Sequence, residues 1–309
     1  AGPDVESPPQ RVSDLLVAAS TRLQAAGSET ARLDAEVLLA HVLGVDRSAL
    51  AAHPEAVLPS GQLERFEAHL LRREKGEPVA YIRGLKEFYG SAISVDSRVL
   101  IPRPETEALV ELALARITSV LTGTAREGDE PYLVWDIGTG SGAIAVAIAS
   151  ELRRRRYGEV LRFLVSDVSP EARDVATLNV VAHGLAHLFT FAEGDLADVV
   201  PAPQRPVDLV VANLPYIPAA MVLELPVAAS YEPVGALDGG PDGLDVIRRL
   251  LPRVPEIVAP GGAVLLEIGG DQAEAMTATA ETALPAWTCT IHPDLSGSPR
   301  VAQLERTGA

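Results

Sequence analysis

The chain has 309 residues, 47% of them hydrophobic and 22% charged, with a formal net charge of −16. That is the make-up of a folded, water-soluble protein of one large or two modest domains. The acidic balance argues against a surface that grips nucleic acid through its phosphates. A single cysteine, Cys289, excludes an internal disulfide, and six scattered histidines without a second cysteine offer no metal-ligand spacing. The expected setting is therefore reducing and cytoplasmic, with no metal.

Residues 1–10 are small, polar and proline-rich, which predicts a disordered tail with no secretion signal. The apolar run at 143–149 falls far short of the roughly 20 residues that a membrane span needs. From 11 to 77 the periodicity is helical. Leu15, Leu16, Ala19 and Leu23 form one apolar stripe, and Leu33, Val37, Leu38, His41 and Val42 a second. Leu63, Phe66, Leu70 and Leu71 form a third, behind a Ser60 cap. These predict a small all-α domain with His41 packed in its core. Between 78 and 104, YIRGLKEFYGSAISVDSRVLIP alternates aromatic and β-branched residues with polar ones around glycines, the pattern of a β-hairpin joining two domains. Pro102 and Pro104 stop the strand, and a helix starts near Glu105 with acids in its first turn.

From 105 to 309 strands and helices alternate. Strands are expected at 133–138, 162–168, 189–195, 208–214 and 263–269, and helices at 143–155, 170–183 and 244–258. Apolar strands separated by helices make a mostly parallel sheet covered on both faces, an α/β domain. The last two strands, WTCTIHP (with Cys289 buried) and RVAQLER, are joined only by DLSGSP. That link is too short for a parallel crossover, so the final pair is antiparallel. The arginines 153–156 suit a solvated helix end, where they complement the dipole, better than an RNA contact.

The first of these strands runs into Asp136-Ile137-Gly138-Thr139-Gly140-Ser141-Gly142. Alternate glycines after a strand and before a helix allow a tight turn and close backbone approach to a ligand. Gly138, Gly140 and Ala143 also satisfy the dinucleotide pattern, so a nicotinamide domain is the immediate rival. Two features favour S-adenosylmethionine: a third acid, Asp195, follows Asp167 at the end of the next strand, and the sheet closes with an antiparallel pair. Asp167 then accepts from ribose hydroxyls and Asp195 from the adenine amino group. The fourth strand ends in Asn213-Leu214-Pro215-Tyr216. A planar amide or amino nitrogen is a poor nucleophile because its lone pair is delocalised. The Asn213 side-chain oxygen and the Leu214 carbonyl can accept both of its hydrogens, Pro215 fixes the turn, and Tyr216 offers a flat face. A strand-ending turn with no further role is the alternative.

With these motifs in place the sequence resembles the HemK/PrmC-like family of peptide-chain release factor glutamine methyltransferases, over nearly its whole length. The matching segments are PVAYIRGLKEFYG, VLIPRPETEALVE, DIGTGSGAIAVAIA, SDVSPEA, NLPYI, YEPVGALDGGPDGL and DLSGSPRV. The resemblance implies a Rossmann-like class I S-adenosylmethionine methyltransferase domain, its seven-stranded sheet mostly parallel with an antiparallel last strand. It also implies an N-terminal helical partner-binding domain and a linking hairpin. The implied reaction methylates the side-chain nitrogen of the glutamine in the Gly-Gly-Gln motif of class I release factors; from the charge balance and the short apolar runs, no nucleic acid or membrane is expected to be bound directly. By position, Gly138, Thr139, Gly140, Ser141, Gly142, Asp167, Asp195, Leu196 and Asn213 would hold the cofactor. Asn213, Leu214, Pro215 and Tyr216 would hold the glutamine amide, and Phe88, Pro102, Arg103, Pro104, Glu105 and Thr106 would line the same pocket. Leu214 stands where the family usually has proline, and Leu196 where relatives often carry an aromatic. Asn-Leu-Pro-Tyr also occurs in adenine-N6 rRNA dimethylases, so a ribosomal-protein glutamine or an adenine remains the alternative acceptor.

Overall fold

Helix-period and strand-period sequence separate along the chain, and so do the two units they build in the computed structural model. It describes residues 11–123 and 130–308, so the expected N-terminal tail lies outside the described residues. One unit runs to Gly84 and includes Pro226–Tyr231; the other comprises Leu85–Leu225 and Glu232–Ala309.

The first unit contains α1 (Val12–Ala25), α2 (Ala31–Leu43), α3 (Arg47–Ala52), α4 (Ser60–Glu74) and α5 (Val79–Arg83). The Leu15, Leu16, Ala19 and Leu23 stripe of α1 packs with Leu38, Leu39 and Val42 of α2 and Phe66 and Leu70 of α4 in one core. Burying each such side chain is worth about 1.5–3 kcal/mol. Three details differ from the periodicity reading. Leu33 and Leu71 are exposed, because the apolar stripes are narrower than the spacing suggested. The residue capping α4 is Pro59, held extended, and Ser60 is already helical. His41 is only half-buried and stacks on the His69 ring at 5.7 Å instead of sitting in the core.

The second unit opens with a hairpin, β1 (Leu85–Phe88) paired antiparallel to β2 (Ser91–Ser94). A 3-10 turn, Pro104–Thr106, leads into α6 (Glu107–Thr122). There follow β3 (Tyr132–Ile137), α7 (Ala143–Arg154), β4 (Leu161–Asp167), α8 (Pro170–Ala182), β5 (Phe189–Asp195), β6 (Asp198–Val200) and β7 (Val207–Ala212). The remainder is α9 (Ala219–Val222), α10 (Asp245–Leu250), α11 (Val254–Ile257), β8 (Val258–Glu267), α12 (Ala273–Ala283), β9 (Trp287–Pro293) and β10 (Pro299–Arg306). The strand order is β6-β5-β4-β3-β7-β8-β10-β9. The five central strands are parallel; β10 is antiparallel to both β8 and β9.

The sheet therefore has the expected α/β, Rossmann-like plan with one strand more than the seven anticipated. The addition, β6, folds back antiparallel on β5 and is three residues long, too short to leave a period-two signature. The single helix expected at 244–258 is broken into α10, a 3-10 turn and α11. Pro252 and Pro255 lack the N–H that an unbroken helix needs.

Asn179, on α8 and wholly buried, braces three segments at once. Its Nδ2 donates to the Ser94 carbonyl (2.9 Å) and the Ser141 carbonyl (2.8 Å), and its Oδ1 accepts from Ser94 N–H (2.7 Å). Hairpin, glycine turn and α8 thus share one side chain. Asn179→Ala leaves buried partners unsatisfied and is expected to cost about 2–4 kcal/mol. Urea unfolding measures this as a lower midpoint at unchanged slope.

Candidate active site

The turn after β3 is latched to its neighbour strand. The N–H groups of Gly138 and Thr139 both donate to the Ser166 carbonyl at 2.9 Å. Gly140 N–H donates to Asp167 Oδ2 and Ser169 N–H to Asp167 Oδ1, each at 2.9 Å. Gly138, Gly140 and Gly142 adopt φ of 70°, 53° and 78°, a region that side chains resist. A Cβ on Gly142 would lie 3.2 Å from that of Ala176, and one on Gly138 would lie 3.1 Å from Leu214 Cδ2. Burial raises the Asp167 carboxyl, while the Ser169 and Gly140 N–H groups pull it back down.

Beneath the turn lies Asp136, fully buried. Its Oδ2 accepts from the Thr139 hydroxyl at 2.8 Å, and its Oδ1 has no hydrogen-bond partner among the described residues. Burial pushes this carboxyl up to about 7, against the help of the Thr139 hydroxyl and the Ala145 N–H. At the end of β5, Asp195 is exposed and paired with Arg249 of α10. Leu196 follows with φ 54°, half-buried against the core.

The turn after β7 faces this one. Asn213 Nδ2 donates to Thr106 Oγ1 at 3.2 Å. The Leu214 side chain is buried against Gly138. The Tyr216 hydroxyl donates to Glu267 Oε1 at 3.1 Å, and the Tyr216 carbonyl accepts from Gln272 Nε2 at 2.9 Å. Ile217 exchanges backbone hydrogen bonds with Leu237 and Gly239 of the DGG segment, so the turn is clamped from its far side.

The two turns enclose a cavity of about 340 Å³, within the usual range for small-molecule sites. The structure places Phe88, Pro102, Thr106, Gly138, Thr139, Gly140, Ser141, Asp167, Asp195, Leu196, Asn213, Leu214 and Pro215 on its wall. Five expected residues stand off the wall. Gly142 is turned onto Ala176, and Tyr216 lies behind, against Glu267. Arg103 is drawn away to Glu232 Oε1 (2.5 Å), and Pro104 and Glu105 face solvent on the 3-10 turn.

The sequence reading did not single out Glu232, Arg249 or Glu267. Glu232, almost wholly buried, also accepts from Ile101 N–H at 3.1 Å and so holds the IPRPE strap in place. Its only signal in the sequence is its place in YEPVGALDGGPDGL. Glu267 had a clearer one, a lone carboxylate closing the apolar run of β8. Among the described residues no group of three or more His, Cys, Asp or Glu is placed to hold a metal, and no helix is long and apolar enough to cross a membrane.

A release factor glutamine methyltransferase of Moorella thermoacetica is 39% identical to the chain over 279 residues, covering 90% of this chain and 93% of that protein. The chain belongs to the release factor glutamine methyltransferase family. The same family protein of Xylella fastidiosa is 39% identical over 287 residues, 93% of this chain and 95% of its own length. Residues 14–84 match the model of the PrmC N-terminal domain, a stretch that runs from within α1 through α5. The fold is shared more widely: the hMettl16 catalytic domain, solved with MAT2A 3'UTR hairpin 1, superposes with a TM-score of 0.51 at 14% identity, covering 82% of this chain and 83% of that one.

The Asp136 carboxyl has a testable consequence. It ionises near its ordinary 3.8 in the unfolded chain but near 7 in the folded protein. Its contribution to stability is therefore full below about pH 4 and is lost as pH rises through about 7. Asp136→Asn, which stays neutral, is expected to show a shallower decline of unfolding free energy between those limits, read from urea unfolding at a series of pH values.

Proposed function

We propose that the protein transfers a methyl group from S-adenosylmethionine to the side-chain amide nitrogen of the glutamine in the Gly-Gly-Gln motif of class I peptide-chain release factors. The observation that carries this reading is that the glycine turn of β3 and the Asn213 turn of β7 share one cavity wall, Gly138 lying against Leu214. Family membership supports the acceptor. A cytoplasmic setting, where release factors act, follows from it, and we assign docking of the factor to the helical domain, 11–77.

The cavity suits the cofactor. A Cβ at Gly140 would meet open space, so the backbone there admits a close ligand. Asp167 stands at the end of β4 and would accept from ribose hydroxyls, and Asp195, at the end of β5, would accept from the adenine amino group. Gly138, Thr139, Ser141, Leu196 and Asn213 complete the wall that would hold it. S-adenosylmethionine supplies a methyl group on a positively charged sulfur, whose bond breaks with both electrons staying on sulfur as the new N–C bond forms.

The residues of the chain do the rest by position. Asn213 Oδ1 and the Leu214 carbonyl accept the two amide hydrogens, which orients the nitrogen and localises its lone pair. Pro215 keeps the turn stiff, and Phe88, Pro102 and Thr106 wall the acceptor against water. Once methylated, the nitrogen is acidic and gives up one proton, so no general base is required. A ribosomal-protein glutamine would meet the same two acceptors; adenine in nucleic acid is disfavoured by the net charge of −16.

The assay uses labelled S-adenosylmethionine with a purified class I release factor and with its Gln→Ala variant in the Gly-Gly-Gln loop. Label is expected on the first and not on the second; label on both, or only on ribosomal protein or RNA, would refute the acceptor. Asn213→Ala is expected to lower kcat by about 100-fold or more. Its cofactor affinity, measured by calorimetry, is expected to stay within a few-fold of the parent's.

A further inference from the structure

Behind the acceptor turn lies a carboxylate that the chemistry above does not use. Glu267 ends β8 and has no exposed surface. Its Oε1 accepts from Tyr216, while its Oε2 has no formed hydrogen bond among the described residues. The Thr106 hydroxyl lies alongside and, with Tyr216, stabilises the negative charge that burial opposes; burial prevails and pushes the carboxyl up to about 7. The other charges facing it are Arg300, which favours ionisation, and Glu105, which opposes it. Arg300 is itself held by Asp294 Oδ2 at 3.2 Å and the Ile268 carbonyl at 3.1 Å. Arg103 acts on the neighbouring Tyr216.

A threonine oxygen has one proton to give and two lone pairs. Asn213 Nδ2 donates to Thr106 Oγ1, so the Thr106 proton must point elsewhere, and an ionised Glu267, which can only accept, draws it. The consequence falls on Asn213. With Nδ2 committed to Thr106, Oδ1 is the free end of the carboxamide. A neutral Glu267 would have a proton of its own to aim at Thr106. The Thr106 proton would then turn towards Asn213, and the carboxamide would present Nδ2 where an acceptor for the substrate N–H is needed.

We infer that Glu267 is a positioning residue: acting through Thr106 it keeps Asn213 Oδ1 turned towards the acceptor amide, and through Tyr216 it holds the same turn from behind. The inference rests on the glutamine-amide reading of the site. It assigns a reason for keeping an ionisable group at a wholly buried position, where an apolar side chain would carry no desolvation cost.

Parent, Glu267→Gln, Thr106→Val and the double variant are compared for kcat and KM with the release factor, for S-adenosylmethionine affinity and for Tm. Each single change is expected to lower kcat about tenfold or more, with KM, affinity and Tm little altered. The double variant is expected to be no slower than the worse single one, because both act on one amide. Effects that add in full, parent-like turnover in Glu267→Gln, or cofactor affinity lost in step with kcat would overturn the inference. The side-chain ¹⁵N–¹H signals of Asn213, recorded with no acceptor present, test the same network independently. They are expected to titrate near pH 7 in the parent and stay flat in Glu267→Gln; signals flat in the parent, or titrating alike in both, also overturn it. A parent that labels no release factor refutes the acceptor reading instead, and the Asn213 signals still decide the role of Glu267.

Discussion

The parallel pairing of β3 with β4 on one side and β7 on the other is the constraint from which the site follows. Parallel strands end on the same edge of a sheet, so their C-terminal loops are neighbours whatever lies between them in sequence. From β3 the chain steps outward to β4 and β5; from β7 it steps outward the other way to β8. The loops after β3 and β7 therefore part, and the crevice between them is the cavity. Residues 76 apart in the chain come together this way, the Leu214 side chain lying against Gly138. The Leu214 side chain fills the space over Gly138, and the fixed geometry of Pro215 follows it directly.

Around the crevice the charged groups fall into two kinds. Asp195 and Arg249 form an exposed pair, worth at most about 1 kcal/mol, that a ligand can replace without penalty to the fold. Asp136 and Glu267 are different: both are wholly buried and both are pushed towards neutrality by that burial. Perturbed carboxyls of this kind gather where chemistry is done, because stability alone would remove them. Neither lies on the cavity wall; each sits one step behind it, Asp136 under the glycine turn and Glu267 under the Asn213 turn.

The parts of this architecture carried by repetition were legible in the sequence. Apolar strands such as LVWDI and DLVVA, glycines at alternate positions, and acids at strand ends announced the sheet and the glycine-turn side of the cavity. What escaped was carried by single side chains acting across long sequence distances. Asn179 gives no periodic signal, yet it joins segments 85 and 38 residues away. Glu232 binds Ile101 across 131 residues and Arg103 across 129, and the second bond draws Arg103 off the wall, which no local pattern foretells. The strand β6 is too short for periodicity to register, and the break at Pro252 is masked by the helical spacing of Ile247, Leu250, Leu251 and Val254 that runs through it.

The helical unit is not built from one continuous stretch. Its fold includes Pro226–Tyr231, and within it the Tyr231 hydroxyl donates to the Lys75 carbonyl at 3.0 Å across 156 residues. At Gly76, whose φ is 91°, a Cβ would come within 2.7 Å of Val227 Cγ1, so these residues fit only with hydrogen at that position. On a ribosome the five helices emerge first, but their closing segment is made only after most of the sheet. The helical unit thus cannot be completed until Tyr231 has been made, and its completion depends on a loop that leaves the second unit after Leu225 and re-enters it at Glu232.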